Sequence, residues 1–295
     1  MTREPIQIED HLDAVSSLEP LMRAIRSVAE VAYRRADERS ETLDIYEAHI
    51  SRMLRGATRE LSVPERARLL GEGTGQRIGV LLVGSERGLC GPFNEQALDT
   101  FQRTLDRIED EGREASPLVL GSKASHVLSQ RGFEPTVSRS LPSFNVPPYV
   151  RVEELALDLL DLLAGDRLDG LRVVYHRPAQ GFEYETVEKD LWPIEPGATD
   201  GDLPSVPVHA SEDLEAFVRH LVTERFLVDL YDAVLHSSAS EQLARIRTMR
   251  LAVDHVQDRE DDLRRELQRA RRHVETQALL QVISGFEAME ETSDG

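Results

Sequence analysis

The chain has 295 residues, a formal net charge of −19 and a mean hydropathy of −0.38. That charge argues against a general nucleic-acid binder, because the sequence-independent electrostatic term would be repulsive. No apolar run approaches the roughly 18 residues that cross a bilayer, and no charged–apolar–small leader opens the chain, so neither a membrane span nor export is expected.

A single cysteine, Cys90, excludes an internal disulfide framework and suits a reducing cytoplasm. Only Lys123 and Lys189 are lysines among 35 basic residues. An acidic, lysine-poor surface stays hydrated at high ionic strength, which fits a salt-adapted host. Arginine-favouring codon usage explains the lysines equally well but not the acids.

In chain order, Leu12, Val15, Leu18, Leu21, Ile25, Val28 and Ala32 recur every three or four residues, and neither glycine nor proline occurs from Leu21 to Arg55. This spacing predicts a long amphipathic helix within residues 1–70, entered or kinked at Pro20. The rhythm then changes over residues 76–194. Ile78 to Gly84 is a short apolar run of the kind that forms a buried parallel strand. Helix is expected from Asn94 to Asp110, strand from Pro117 to Gly121, helix from Lys123 to Arg131, and loop from Ser138 to Tyr149. Helix resumes from Val152 to Leu163, followed by strands at Leu171–His176 and Phe182–Trp192. Alternating strand and helix predicts a mostly parallel sheet, a Rossmann-like α/β domain. Residues 195–209, rich in Pro, Gly and Asp, read as a linker, and 290–295 as a flexible tail.

Residues 210–289 form the second long helix, with no glycine or proline from Ala210 to Ser284. Ile246, Val253, Leu267 and Val274 share one heptad position, and Met249, Val256, Leu263 and Ala270 fall three residues later on another. That is the a/d seam of a coiled coil. A helix of about 75 residues would run about 110 Å at roughly 1.5 Å per residue, which suits a shaft better than a globular core. Its partner is the N-terminal helix, antiparallel if the middle of the chain folds back. Two ordinary core helices of a bundle would be the plainer reading. Glu260 interrupts the seam at an a position; it either pairs with an arginine on the facing helix or, as favoured here, is solvated where the coil splays.

No catalytic constellation emerges. Gly84, Gly88 and Gly91 lack the dinucleotide-binding spacing, and Gly121-Ser122-Lys123 lacks most of a phosphate loop. There is no zincin helix, no nucleophile elbow and no Cys/His metal cluster, so neither cofactor nor metal is expected. Cys90, between a leucine and a glycine, reads as a small buried apolar group.

One segment is more specific than periodicity. Ser85-Glu-Arg-Gly-Leu-Cys-Gly-Pro-Phe-Asn94 resembles the serine-acid-arginine-glycine-leucine-cysteine-glycine signature of the gamma subunit of rotary, F-type ATP synthases. Leu21 to Ala29, then Tyr33-Arg-Arg-Ala36, resemble that family's N-terminal helix. Ser240-Glu-Gln-Leu-Ala-Arg-Ile-Arg-Thr-Met249 resembles the opening of its C-terminal coil, and Asp261-Asp-Leu263, Ala270-Arg271, Thr276-Gln277 and Gly285 continue the match. The resemblance implies an antiparallel coil of terminal helices flanking an α/β domain, in a non-catalytic central-stalk rotor. Such a rotor transmits torque between a membrane ion-driven ring and a catalytic hexamer. The implied partners are the alpha and beta subunits, the epsilon subunit and the c-ring. The implied place is peripheral, on the cytoplasmic face of the bacterial inner membrane. The implied partner-contact residues are Arg23, Arg26, Arg87, Glu241, Arg245, Arg271, Arg272, Thr276 and Gln277.

Departures from the pattern are concentrated at the ends. Glu9, Asp10 and Asp13 bring acid where the family is basic, Pro20 is unexpected, Glu275 replaces an apolar residue, and Ala278 and Gln281 replace acids. They are of the kind expected of a divergent branch such as the alternative sodium-pumping bacterial type, although ion choice resides in the membrane ring. A small-molecule enzyme with helical extensions would instead need ligand binding by the isolated chain. An unrelated coiled-coil scaffold would leave Ser85–Asn94 unexplained.

Overall fold

The computed structural model describes residues 5–73, 75–141, 146–196 and 213–293. The chain divides into two compact units, one made of residues 1–27 with 248–295 and the other of residues 28–247. Helices α1 (Pro5–Ser16), α2 (Leu18–Thr58) and α3 (Val63–Leu70) come first, and the 80-residue α7 (Leu214–Ser293) comes last. Residues 5–70 are thus three helices rather than one. The break falls at Ser17, and Pro20 lies in the first turn of α2, where its missing N–H removes no helical bond. At α3 the Glu65 carboxylate accepts the Ser62 N–H (2.9 Å), satisfying one donor of the helix start. The linker reading falls largely on residues 197–209, outside the described residues, while α7 runs into the stretch read as a tail.

In the smaller unit, the seam of α7 is buried at Met249, Val253, Val256, Leu263, Leu267 and Ala270. Ile8, with Leu12 and Val15 beside it, packs on Leu263, Leu267 and Ala270, so α1 supplies the facing ridge. Two polar contacts tie the N-terminal helices antiparallel to α7: Gln257 Nε2 donates to Glu19 Oε1 at the start of α2 (2.9 Å), and Arg271 pairs with Glu9 on α1. The seam stops at Ala270; Val274 is 50% exposed. Glu260 corrects the sequence expectation. It is only 7% exposed and its carboxylate binds Arg264, one turn on along its own helix, at 2.8 Å. A long arginine on the same face brings its charge over the seam, so the coil stays closed without a partner from the facing helix.

In the larger unit, a five-stranded sheet has the order β3-β2-β1-β4-β5, built from β1 (Arg77–Val83), β2 (Glu114–Leu120), β3 (Val137–Arg139), β4 (Gly170–Pro178) and β5 (Tyr184–Trp192). All neighbours are parallel except the hairpin of β4 and β5. Helices α4 (Phe93–Asp110), α5 (Ser122–Gln130) and α6 (Tyr149–Ala164) make the crossovers. Strand β3 overlaps the start of the segment read as a loop from Ser138. It is three residues long, too short to carry a period. β2 begins before the expected Pro117, which it tolerates for a local reason. The Pro117 carbonyl faces the β3 side, where it accepts the Thr136 N–H, so the N–H it lacks would point to that side too. Ladder pairing with β3 starts one residue later, at Leu118.

Side chains alternate between two cores. Leu81, Val83, Leu118, Leu120, Leu171 and Val173 face one, shared with the C-terminal half of α2, α3, α6 and the first turns of α7. Val80, Leu82, Val119 and Val174 face the other, shared with α4 and α5. Burial on both faces is why β1 reads as a continuous apolar run. Along α2 the buried row is Ala29, Ala32, Ala36 and Ser40, small residues that allow close helix approach. Leu18, Leu21 and Val28, assigned to the apolar face from sequence, are exposed. α2 and α7 run antiparallel here as well, joined by Ser40 with His236 (3.5 Å), Tyr46 with Glu224 (3.1 Å) and Glu47 with Arg225 (2.7 Å). Arg225 also pairs with Asp229 (2.7 Å), which in turn binds Lys189 of β5 (2.8 Å). Arg225 and Asp229 are buried, so this three-element network must stay complete to offset their desolvation.

Candidate partner-contact sites

In a doubly wound sheet, ligands sit beyond the carboxyl ends of the strands where the strand order reverses. Here the chain leaves β1 towards β2 and returns on the other side to β4, which makes the end of β1 that point. The segment Ser85–Asn94 begins there. Two glycines let its surroundings close in. A Cβ on Gly84 would lie 2.4 Å from the Ala124 Cβ, and Gly121, at φ +116°, has the Gly84 carbonyl oxygen only 2.7 Å from where a Cβ would stand.

The segment is self-bonded. The buried Ser85 N–H donates to Asn94 Oδ1 (2.9 Å), and Asn94 Nδ2 donates back to Ser85 Oγ (2.8 Å), which itself donates to the Arg87 carbonyl (2.8 Å). The Cys90 thiol lies 3.7 Å from Ser85 Oγ and 3.6 Å from the Arg87 carbonyl. Burial pushes that thiol above its ordinary pKa, the reverse of what a nucleophile needs. Leu89 turns the chain in the left-handed region (φ 66°), with Gly91 (φ 58°) beyond it. Glu86 accepts the Ser122 N–H (3.1 Å) and hydroxyl (2.6 Å) at the start of α5, and the Leu141 N–H as well. A carboxylate is favoured at that helix end.

What occupies the ligand crevice is α7. Ser237 Oγ donates to the Val83 carbonyl at the end of β1 (3.0 Å). Ala244 packs on Cys90 and Phe93, with Tyr184 alongside. Arg245 Nη2 donates to the Gly88 carbonyl (3.3 Å) and pairs with Glu241 (2.5 Å), while Nη1 donates to Gln242 (2.8 Å). Glu241 is buried, and burial raises its carboxyl pKa against the opposing pull of Arg245. A cavity of ≈ 20 Å³ is left among Val83, Gly84, Leu120, Gly121, Ser237 and Glu241. Ligand pockets run to about 300–1,000 Å³, so this one holds no metabolite. Behind the segment, His176 Nε2 lies 2.8 Å from the Phe93 carbonyl, and burial lowers its pKa.

The sequence-predicted contact residues therefore separate. Glu241 and Arg245 come together with Arg87 around the signature segment, but both turn inward and tie α7 to it, while Arg87 is exposed. In the other unit, Arg23 is exposed and pairs with Glu19 on its own helix, and Arg26 is half-buried. Arg271, Arg272, Thr276 and Gln277 are all exposed beyond the buried seam. Thr276 Oγ1 donates to the Arg272 carbonyl (2.8 Å), and Arg271 reaches Glu9. Sequence reasoning did not find Ser237, a polar residue placed by tertiary packing alone. Asn94 was inside the signature, yet nothing in its spacing announces the reciprocal bonds to Ser85.

Among the described residues, no helix is long and apolar enough to cross a membrane, and no group of three or more His, Cys, Asp or Glu could hold a metal. A family model described as ATP synthase matches residues 6–289. The ATP synthase gamma chain of Staphylococcus epidermidis is 23% identical over 288 residues, covering 96% of this chain and 98% of that one. That of Roseobacter denitrificans is 25% identical over 285 residues, with 96% and 98% covered. Among solved structures, a chain of the Euglena gracilis mitochondrial ATP synthase (OSCP/F1/c-ring, rotational state 3) superposes with a TM-score of 0.68 at 14% identity, covering 99% of this chain and 96% of that chain. A chain of the central stalk and c-ring of the Tetrahymena thermophila enzyme gives 0.55 at 20% identity, with 79% and 99% covered. By the extent of these matches, nearly from end to end, the chain belongs to the gamma-subunit family of the ATP synthases.

Proposed function

We infer that this chain is the central-stalk rotor subunit of an F-type ATP synthase, with the catalytic alpha and beta subunits and the c-ring as partners. It is a non-catalytic subunit of a membrane-associated complex. The observation that carries the reading is family membership over residues 6–289, in a chain whose terminal helices are paired antiparallel. A rotor couples distant sites through a body that resists twisting; its angle imposes different conformations on otherwise identical catalytic sites. The buried seam from Met249 to Ala270 and the ion network of Glu47, Arg225, Asp229 and Lys189 provide that stiffness within each unit.

The contact assignments follow from the same reading. Arg271, Arg272, Thr276 and Gln277 face the catalytic subunits. Arg23, Arg26 and Arg87 offer cations to partner carboxylates. Glu241 and Arg245 act on a partner through the segment they hold. The epsilon subunit is a further partner, and the complex sits on the cytoplasmic face of a bacterial plasma membrane. The test is co-expression with the host's alpha and beta subunits, native mass determination and an ATP hydrolysis assay. A three-plus-three-plus-one complex whose activity requires this chain supports the reading. A hexamer equally active without it overturns it.

A further inference from the structure

We propose that Glu9 is a positioning residue for Arg271, a carboxylate inside the chain that competes with the catalytic subunits for the same guanidinium. The proposal rests on the reading of Arg271 as a contact to those subunits. Arg271 lies one residue past Ala270, the last buried position of the seam, and its guanidinium pairs with Glu9 on α1. Glu9 is delivered there by packing: its neighbour Ile8 is buried in the cluster with Leu263, Leu267 and Ala270. α1 is a separate twelve-residue helix, joined to α2 through Ser17. A second acid on the N-terminal side, Glu19, likewise reaches α7, through Gln257 (2.9 Å).

The consequence is an exchange of partners. A guanidinium bound to Glu9 must give it up, or share its donors, before it can form a two-pronged pair with another carboxylate. Both side chains are about half exposed, so the pair is weak and the exchange is reversible. A weak internal competitor lowers the hold of the catalytic subunits on the rotor without abolishing it. This suits a contact that must form and break as the rotor turns.

The test is competitive assembly. Full-length chain and its Glu9→Gln variant, distinguished by mass, are mixed in equal amounts with a limiting supply of the host's alpha and beta subunits, and incorporation is read by native mass spectrometry. Glu9→Gln should outcompete the unaltered chain by about 1.5- to 5-fold, the range of an exposed ion pair. The advantage should shrink as salt rises and vanish when both competitors also carry Arg271→Ala. Glu9→Asp, which keeps the charge, should restore most of the original ratio. If Arg271→Ala weakens incorporation while Glu9→Gln changes nothing, the positioning role fails and the contact reading survives. If Glu9→Gln gains equally in the Arg271→Ala background, Glu9 acts elsewhere and the proposal is wrong. If Arg271→Ala itself has no effect, the contact reading and the proposal fall together. Helical circular dichroism of each variant identifies any that fails to fold; if Glu9→Gln does, Glu9→Ala, which also removes the carboxylate, takes its place in the same competition with the same expected advantage.

Discussion

Truncating Asn94 to alanine removes an acceptor from the buried Ser85 N–H and a donor from the Ser85 hydroxyl, bonds of 2.9 and 2.8 Å. Ser85 is fully buried, so its amide gains no solvent partner in exchange. An orphaned buried donor costs about 1–3 kcal/mol. Expressed as local opening, that is about 5- to 150-fold faster hydrogen exchange at the Ser85 amide. Exchange of the full-length chain, followed by NMR or by mass spectrometry with fragmentation, measures it directly. The amides of Val80 and Leu82 in the middle of β1 serve as the internal reference for opening of the whole sheet. Ser85→Ala is the matched comparison: it deletes the hydroxyl but leaves the amide bonded to Asn94, so its Ser85 amide should accelerate less. An Asn94→Ala protein whose Ser85 amide exchanges at the original rate would refute the reasoning. So would one in which β1 accelerates equally, because the bond would then be holding the sheet and not the segment. The loosened segment should also release the Gly88 carbonyl from Arg245, which couples the change to α7.

Replacing Arg271 and Arg272 together with alanine should lower the ATPase activity of the assembled complex while leaving the helical circular dichroism and melting of the chain unchanged, since both side chains are exposed; unchanged turnover would count against the contact assignment. Glu260→Leu should stabilise the chain by about 1–3 kcal/mol, because it fills a buried seam position (7% exposed) with an apolar side chain in place of a carboxylate; a lower melting temperature would sink that idea. Asp169 is held down to a pKa of about 2, first by Arg77's side chain and then by the Arg77 and Gln76 N–H groups. A depressed carboxyl stabilises the fold above its ordinary pKa of 3.8 and loses that contribution as pH falls towards 2. Asp169→Asn should therefore be the less stable protein at neutral pH, with the difference closing between about pH 4 and pH 2; a gap that persists at pH 2 would show that the deficit is not electrostatic.

The α7 half of the coil was legible in the sequence because every seam residue from Met249 to Ala270, Glu260 apart, is both apolar and buried. The buried face of α2 was less so. Hydropathy gives weight to Leu18, Leu21 and Val28, which are exposed, whereas close packing selected Ala29, Ala32, Ala36 and Ser40 for their size. Glu260 was misread because composition says nothing of an arginine one turn away folding over it. The central strands of the sheet could be read from runs buried on both faces; β3, three residues with two of them exposed, could not. At the candidate site, the signature segment stood out by its residue types. The bond of Ser237 to Val83, just before the segment, and that of Arg245 to Gly88 within it join positions more than 150 apart in the chain, and no local pattern encodes them.

The scarcity of lysine has a practical side. Lys189 is committed to Asp229 at 2.8 Å, whereas Lys123 stands exposed at the start of α5. Amine-reactive reagents thus meet one readily accessible side chain in the folded protein, and thiol reagents meet none, because Cys90 is buried with its thiol held protonated. A cysteine introduced at an exposed position of α7 would accept a fluorophore or bead linker at a single defined height without prior removal of native thiols. An orthogonal dye at Lys123 would give a second fixed point, and the angle of the line between them could be followed step by step as nucleotide is consumed.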